Sequence, residues 1–376
     1  MAKKREPNEH FILDEKKQKL ELTLAGRHMM RWSNPPTGKH SHAMDKLQEA
    51  VERALQAHYR FRRDQQYMVE DEKIVIIDES TGRKMKDRHW REGLHQAVEA
   101  KEKVPITLAA DHAAQITYQS YFRIYKKLSG MTGTVAQNWW EIRRVYKLWV
   151  VCVPTNRPVI RQQWPDRVFP NEDAKFQAVV RETIRLKQKG RAVLIGTRSV
   201  EKSEKLSQMF HDAGVEHQVL NARHHEQEAK IVAEAGAVGR VTIATNMAGR
   251  GTDIKPAEKV LKAGGLHVLG TERHESIRID RQLIGRAGRQ GDRGSCQFFL
   301  SLDDELLEGL GESRQEWLED LGKKGGKRNW QKYHWYFIKA QRRLEKRHYR
   351  NRVDLMVYEK RRQEILKDLG ADPYVD

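Results

Sequence analysis

Residues 241–253 read VTIATNMAGRGTD. Five strand-favouring residues end in a loop that holds two glycines, an arginine and an aspartate. An unbroken apolar run of this length, rich in β-branched residues, fits a strand buried on both faces. The pattern repeats outward in both directions. Upstream, AVLIGT (192–197) lies between a helical stretch over 172–189, ended by Gly190, and another over 200–213, ended by Gly214. His217 to Asn221 is a short strand before a helix over 225–235. Downstream, LHVLG (266–270) leads into a helix over 276–287, and CQFFL (296–300) closes the series. Strands that alternate with helices across short polar turns specify an α/β fold, a parallel sheet covered by helices on both faces. In such sheets ligands gather beyond the carboxyl ends of the strands. The loops there read GTRS (196–199), NARHH (221–225), TNMAGRGTD (245–253) and GTERHES (270–276).

Two stretches in this region carry chemistry. Gly249 and Gly251 flank Arg250, and Asp253 follows. Glycine lets backbone approach a ligand closely, the guanidinium is a forked donor suited to phosphate, and the aspartate can accept from a sugar hydroxyl. Standing alone, a tight turn with a surface arginine explains this loop equally well. The second stretch is QLIGRAGRQGD (282–292). Arg286 and Arg289 are three apart at an expected helix end, so both point the same way. Two guanidiniums aimed at one spot stabilise charge on a phosphoryl group. The bland reading, a salt-bridged helix face, weakens because the first arginine–glycine loop lies one strand earlier. A third motif, Gly130-Met131-Thr132-Gly133-Thr134, is short and by itself is any turn.

The remainder of the chain is less regular. Phe11 and Leu13, then Leu20, Leu22 and Leu24, alternate as a strand pair. Helices are expected over 45–63, 90–101 and 114–128, and a strand over 73–77. After Gly311 the sheet pattern stops. KKGGK (323–327) reads as a flexible link, and 329–369 as basic helix with a broken seam of Leu344, Leu355, Tyr358, Ile365 and Leu369. That helix packs on the body or on a partner rather than forming a free coiled coil.

Composition bounds the function. The 376 residues carry 70 Lys and Arg against 52 Asp and Glu, a formal charge of +18, with mean hydropathy −0.81. At about 150 residues per domain there is room for two or three domains. Residues 1–66 hold 14 basic and 9 acidic residues, and residues 312–376 hold 17 and 11. Both ends are thus more basic than the centre, which suits nucleic acid, anionic lipid or an acidic partner without choosing among them. No run of 18 apolar residues offers a membrane span, and MAKKREPNEHF has no apolar signal core. Cys152 and Cys296 cannot build a disulfide framework or a cysteine zinc site, and both are expected to be small buried residues. The expected setting is reducing, soluble and cytoplasmic.

Two decoys fall away. IIDE (76–79) resembles a magnesium-holding acidic strand end, which requires a Gly-x-x-x-x-Gly-Lys-Ser/Thr loop upstream. The nearest candidate, Gly38-Lys39-His40, has Ser33 in place of the first glycine and His40 in place of the hydroxyl residue. His225-Glu226 begins like a zinc-binding pair, but Ala229 stands where the second histidine belongs. No metal site is expected.

ATNMAGRGTDI (244–254), GGLHVLGTERHESIRIDRQLIGRAGRQGD (264–292) and SGMTGT (129–134) together resemble the SecA family of ATP-driven preprotein translocation motors. The resemblance extends through VIIDESTGRKMKDRHWREGLHQAVEAKE (75–102), VPTNRPVIRQQWPD (153–166), VLNARHHEQEAKIVAEAG (219–236) and FFLSLDDELL (298–307), so it covers nearly the whole chain. It implies a map: 1–105, part of a mixed α+β preprotein cross-linking domain; 106–150, a stretch of the first motor domain ending in the Thr-Gly-Thr motif; 151–311, a second RecA-like motor domain of the P-loop NTPase and helicase kind; 312–376, the start of a helical scaffold.

By the same resemblance Asp253 would contact the ribose, and Arg250, Arg286 and Arg289 would face the phosphates of ATP. Gly249 and Gly251 would admit the nucleotide, and Gln282 would order the motif. Thr132, Gly133 and Thr134 would couple nucleotide state to domain movement. The implied partners are the SecYEG channel, unfolded preprotein and an anionic membrane surface, at the cytoplasmic face of the membrane.

The departures shape the expectation. The P-loop and the acidic Mg²⁺ motif, which the family carries ahead of this region, are not in the 376 residues. Ile284 replaces an arginine of the family's QLRGR motif, and Lys255-Pro256 stands in a usually apolar stretch. The chain is therefore expected to supply the arginine half of an ATP site, with Mg²⁺ held by the other half, and to be inactive without a P-loop-bearing polypeptide. The alternative is a non-catalytic preprotein- or channel-binding module, or a degenerate fragment of such a motor. The second half of an RNA helicase is disfavoured, because the long matches at 75–102 and 264–281 have no role there, so nucleic acid is not the expected partner.

Overall fold

The computed structural model describes residues 9–14, 19–32, 44–63, 66–77, 84–108, 116–220, 231–245, 253–326 and 328–368. The chain divides into two compact units, Met1–Asp111 and His112–Asp376.

In the first unit, β1 (Phe11–Asp14) pairs antiparallel with β2 (Lys19–Leu22). The alternation there holds, except that Leu24 opens helix α1 (Leu24–Trp32) instead of extending the strand. Helix α2 (Met44–Tyr59) buries Val51 and Leu55, four apart, against Phe11, Leu20 and Leu22. A second small core gathers Ala57, Phe61, Tyr67, Ile74 and Val98. It joins α2 to the antiparallel sheet of β3 (Tyr67–Glu70), β4 (Lys73–Ile77) and β5 (Lys84–Met85), and to α3 (Leu94–Glu102).

The second unit begins with two short helices, α4 (Tyr118–Arg123) and α5 (Trp139–Tyr146). The helix expected over 114–128 is only six residues long as described. The sheet follows: β6 (Gln162–Gln163), β7 (Arg167–Phe169), β8 (Val193–Thr197), β9 (Gln218–Leu220), β10 (Val241–Thr245), β11 (Leu266–Gly270) and β12 (Gly294–Ser301). Its order is β6-β12-β11-β8-β10-β9, with β7 also on β12, and every pairing is parallel. β6 and β7 are two pieces of one edge, broken at Trp164-Pro165-Asp166. Proline cannot donate to a ladder and belongs at such an edge.

Successive side chains of a strand face opposite sides, and here both sides are buried. Val193, Ile195, Val241, Ile243 and Leu269 pack under α6 (Glu172–Gln188) and α7 (Val200–Asp212) through Phe176, Val179, Leu206 and Phe210. Leu194, Val268, Cys296 and Phe298 face the other way. They are covered by α9 (Ile277–Ile284), α10 (Glu312–Lys324) and the first half of α11 (His334–Asp368), while α8 (Glu258–Lys262) adds Val260. The carboxyl-terminal helices are thus part of this unit's core. The basic helix expected after residue 329 enters the apolar core through Phe337, Ala340 and Leu344, and farther along it meets the short helices at the start of this unit, Tyr349 packing on Trp140, Arg352 pairing with Glu141 and Glu359 accepting from Thr117 N. Leu355, Tyr358 and Ile365 of its seam are exposed, and Leu369 lies outside the described residues. The linker is shorter than KKGGK, because Lys323 and Lys324 are helical.

The cysteine expectation is half wrong. Cys296 is buried in β12, but Cys152 is exposed. It lies in an extended stretch where Trp149, Val151 and Val153 are also open, so its apolar neighbours mark uncovered surface rather than core.

Candidate functional site

The loops at the carboxyl end of the sheet hold the candidate residues. Gly249, Arg250 and Gly251 lie outside the described residues. Asp253, where description resumes, is exposed, whereas Ile254 beside it is buried in the core and anchors the loop's exit. Arg289 donates from Nη1 to Asp253 Oδ1 at 2.5 Å and from Nε to the Gly285 carbonyl at 3.0 Å. The aspartate of one sequence motif and the last arginine of the other are therefore in direct contact, 36 positions apart. Each stays more than a third exposed, so both remain open to a ligand.

α9 seats the arginine loop. Leu283, its buried apolar residue, fills the space that Gly196 of β8 leaves; a Cβ at Gly196 would come within 2.6 Å of the leucine Cδ2. The helix expected to run to 287 ends at Ile284. Arg286 and Arg289 consequently sit in the following turn and not on a helix face. Gly288 (φ 63°), Gln290 (φ 55°) and Gly291 (φ 80°) bend that turn through the left-handed region. Arg161 walls the turn by donating from Nη1 to the Ala287 carbonyl at 3.0 Å, and Arg157 packs against Gly291. Gln282 is exposed and Arg286 half-buried. In the Thr-Gly-Thr motif, Thr134 N donates to Thr132 Oγ1 at 3.3 Å across Gly133, a local bond that closes an exposed turn.

Sequence reading missed the buried polar network behind α9. Arg273 donates from Nε to Asp166 Oδ2 at 3.1 Å, at the break between β6 and β7, and faces Asp280 at 3.4 Å. Asp280 Oδ1 also accepts from the His274 backbone N–H at 2.9 Å and sits 2.7 Å from His274 Nδ1. Gln341 of α11 donates from Nε2 to the His274 carbonyl and to Asp280 Oδ2, both at 2.8 Å. Glu345 accepts from Ile277 N at 2.9 Å, and His348 pairs with Glu275 at 3.1 Å. One turn after another of α11 thus grips the loop and first turn that lead to the arginines. The available signal was the charge density of TERHESIRID (271–280) beside a buried strand, where burial forces ionic groups to find partners.

A second charged cluster closes the same end of the sheet. Lys175 of α6 meets Asp304 Oδ1 at 2.5 Å in full burial, and Asp304 accepts from Ser301 N and Oγ at 3.0 and 2.7 Å. Burial pushes the Asp304 carboxyl up to about 6 against the pull of Lys175. Lys202 lies 2.8 Å from Glu272 and 3.3 Å from Glu305. Burial opposes the Lys202 charge, but Glu272 and Glu305 outweigh it and hold its pKa above the ordinary value. Burial likewise opposes the Glu305 charge, and Lys202 and Arg198 overcome that and hold it low. The Lys175–Asp304–Ser301 set is hydrogen-bonded, whereas the buried oxygens of Glu272 are held by the Lys202 charge without a hydrogen bond; together the cluster braces α6, α7 and β12.

A part-exposed guanidinium beside an exposed carboxylate suits a phosphorylated sugar: a forked donor for phosphate oxygens and an acceptor for a hydroxyl. The pair does not suit a cation. Among the described residues there is no group of three His, Cys, Asp or Glu that could hold a metal ion.

Comparison with known proteins agrees with this anatomy. The SecA P-loop domain model matches residues 158–258 and 255–326, and the SecA preprotein cross-linking domain model matches residues 1–99. The chain belongs to the SecA family. Protein translocase subunit SecA 2 of Rhodopirellula baltica is 46% identical over 379 residues, covering 99% of this chain and 58% of that protein. Protein translocase subunit SecA of Nitratiruptor sp. is 46% identical over 361 residues, 96% of this chain and 42% of that protein. That of Caldicellulosiruptor saccharolyticus is 50% identical over 313 residues, 83% and 37% respectively. The chain therefore spans from about a third to somewhat over half of these SecA relatives. The solved E. coli DEAD-box protein SrmB, bound to regulator of ribonuclease activity A, matches at a TM-score of 0.32 and 24% identity, over 41% of this chain and 84% of that one. Although the matched SecA model is that of a P-loop domain, residues 158–326 contain no Gly-x-x-x-x-Gly-Lys-Ser/Thr sequence. No helix among the described residues is long and apolar enough to cross a membrane.

Proposed function

We propose that this chain supplies the arginine-bearing side of an ATP site in a SecA-type preprotein translocation motor. The observation that carries the reading is the 2.5 Å contact between Arg289 and Asp253, which joins two family motifs at the ligand-binding end of a parallel sheet. In this reading ATP lies against the loops of 249–253 and 285–291. Asp253 accepts from the ribose, and Arg289 moves from its partner to the terminal phosphates together with Arg286 and Arg250. Gly249 and Gly251 leave room for the nucleotide, and Gln282 steadies the start of the turn. The chemistry left to these residues is electrostatic: positive charge placed where it accumulates on the transferring phosphoryl group, an effect of about 10³–10⁵ in rate where such arginines act.

P-loop and Mg²⁺ ligands come from sequence outside the 376 residues, on the same polypeptide or a separate one. Exposed Trp149, Val151, Val153 and Ile160 support a partner domain on that side. Residues 132–134 would pass the state of the site to the neighbouring domain. Unfolded preprotein, the SecYEG channel and the anionic cytoplasmic membrane surface are the partners this reading assigns, with the first unit as part of the preprotein-binding surface. The test is phosphate release by the chain alone and with a P-loop-bearing SecA amino-terminal polypeptide. Activity is expected only from the mixture, and Arg286→Ala should abolish it while the two still co-purify. Magnesium-dependent hydrolysis by the chain alone that survives Arg286→Ala would overturn the reading.

A further inference from the structure

A groove of about 560 Å³ opens between the start of α10 and the start of α11, on the far side of the sheet's helical cover from α6 and α7. Its walls are aromatic. Trp335 stacks on Tyr336 at 3.9 Å, and Trp317 stands 6.1 Å from Tyr336 across the groove. Trp317 is 44% and Trp335 48% exposed, a large apolar area left open to water. Its rim is cationic. Arg314 lies 5.4 Å over the Trp317 ring and 5.9 Å over Tyr336, and Lys339 lies 5.1 Å over Trp335. Arg343 donates to the Leu310 carbonyl at 3.0 Å and fixes the floor. Against these three cations the lining holds one carboxylate, Glu312.

We propose that this groove is a docking site for an acidic, proline-rich segment of a partner protein. Three features select that occupant. Aromatic-walled grooves take polyproline II segments, which arrive already extended and lose little entropy on binding. Indole N–H groups are donors only, and the carbonyls of such a segment are free acceptors because it has no internal hydrogen bonds. Arg314, Lys339 and Arg343 complement carboxylates flanking the prolines. The shape argues against the other anionic surfaces. A bilayer needs protruding rings, whereas these are folded against Tyr336 and their own cations. A single-stranded nucleic acid stacks successive bases along a run of aromatic faces, whereas here the aromatic wall is one short groove between two helices. This inference is independent of the nucleotide reading.

The experiment is fluorescence anisotropy with the full chain and a labelled Asp-Pro-Pro repeat, compared with a Lys-Pro-Pro repeat, a labelled oligo-deoxythymidine and phosphatidylglycerol–phosphatidylcholine vesicles. The acidic repeat should bind, and the basic one should not. Trp335→Ala and Arg314→Gln should each weaken binding by about tenfold, equivalent to ~1.4 kcal/mol, without lowering the melting temperature, since both side chains lie at the open groove. Lys360→Gln, on the distal part of α11, should change nothing. The proposal fails if the acidic repeat does not bind, if Arg314→Gln leaves its binding intact, or if oligonucleotide or vesicles bind this groove in its place with the same dependence on Trp335.

Discussion

Glu345 of α11 accepts a hydrogen bond from the backbone N–H of Ile277, at 2.9 Å, and another from Ser276 Oγ at 3.2 Å. The helix that leads to the arginine turn therefore begins on a carboxylate lent by a helix nearly 70 residues later. A carboxylate at a helix start satisfies an orphan donor and complements the dipole. Glu345→Ala is expected to cost about 1 kcal/mol in urea unfolding, and to speed amide exchange at Ile277 and Ile279. Glu345→Gln keeps an acceptor and should recover about half of that loss. Equal exchange in both variants and wild type would show that α11 does not hold this helix start.

Asp280 is a stronger test of the same clamp, because it is buried and shared by Arg273, His274 and Gln341. Removing one member of a buried ionic set leaves the rest desolvated and unpaired. Asp280→Ala should therefore destabilise the second unit by about 3–5 kcal/mol. Asp280→Asn, which retains an acceptor, should lose less. The urea midpoint reports both, and an Asp280→Ala midpoint within error of wild type would contradict the clamp.

Strands β8 to β12 were legible because they are short, mostly apolar runs closed by glycine or a polar turn, as in 192–197 and 266–270; the edge pieces β6 and β7 were not, because Gln162–Gln163 and Arg167–Phe169 are too short and polar to show a run. The arginine loop after β10 was legible for the same reason; the one at 285–291, which follows α9, was legible from its own spacing of glycines and arginines. The clamp was not, because Asp166, Asp280 and Gln341 come from three segments separated by more than 50 residues, and no local pattern links them. Local reading failed where context decides. Leu24 continues an alternation yet starts a helix, and Cys152 sits among valines that nothing covers. Arg286 and Arg289 were expected on a helix end, but α9 stops at Ile284, and Gly288, Gln290 and Gly291 then bend the chain through the left-handed region.

Gly196 tests how α9 is seated. Its missing Cβ leaves the space that Leu283 occupies, so Gly196→Ala forces the leucine, and α9 with it, away from β8. Overpacking of this kind costs about 1–3 kcal/mol. Leu283→Ala in the Gly196→Ala background should relieve the clash. The double variant is then expected to be less destabilised than the sum of the two single changes, measured by thermal melting. Simple additivity would mean that the two residues do not share that space.

Arg289 separates stability from function. Its pair with Asp253 is more than a third exposed on both sides, and such pairs contribute at most about 1 kcal/mol. Arg289→Ala should thus melt close to wild type. In the mixture with a P-loop-bearing polypeptide the same change should cut phosphate release by about 10³-fold or more. Asp253→Asn should act mainly on nucleotide affinity, since the role proposed for it lies at the ribose. An Arg289→Ala chain that melts normally and supports full turnover would remove this arginine from the site.

His267 gives the chain an acid-sensitive point away from the arginines. It lies in β11, fully buried, with Nδ1 2.7 Å from Ser295 Oγ and its ring 4.7 Å from that of Trp164. Arg191 donates to the same serine oxygen at 2.7 Å. Burial, reinforced by the charges of Arg191 and Arg185, lowers its pKa from 6.5 to about 3. The folded chain therefore keeps His267 neutral at a pH where the unfolded chain protonates it. Its contribution is complete above pH 6.5 and is lost as pH falls, at about 1.4 kcal/mol per pH unit, until the folded form titrates as well. Glutamine at this position carries no such linkage. Unfolding free energies of wild type and His267→Gln, measured in urea from neutral pH downward, should diverge below the ordinary histidine pKa, with wild type falling more steeply. Parallel curves would mean that the imidazole reaches water or a carboxylate in the folded chain, and that the tight packing of β11 between β8 and β12 opens under acid before His267 is protonated.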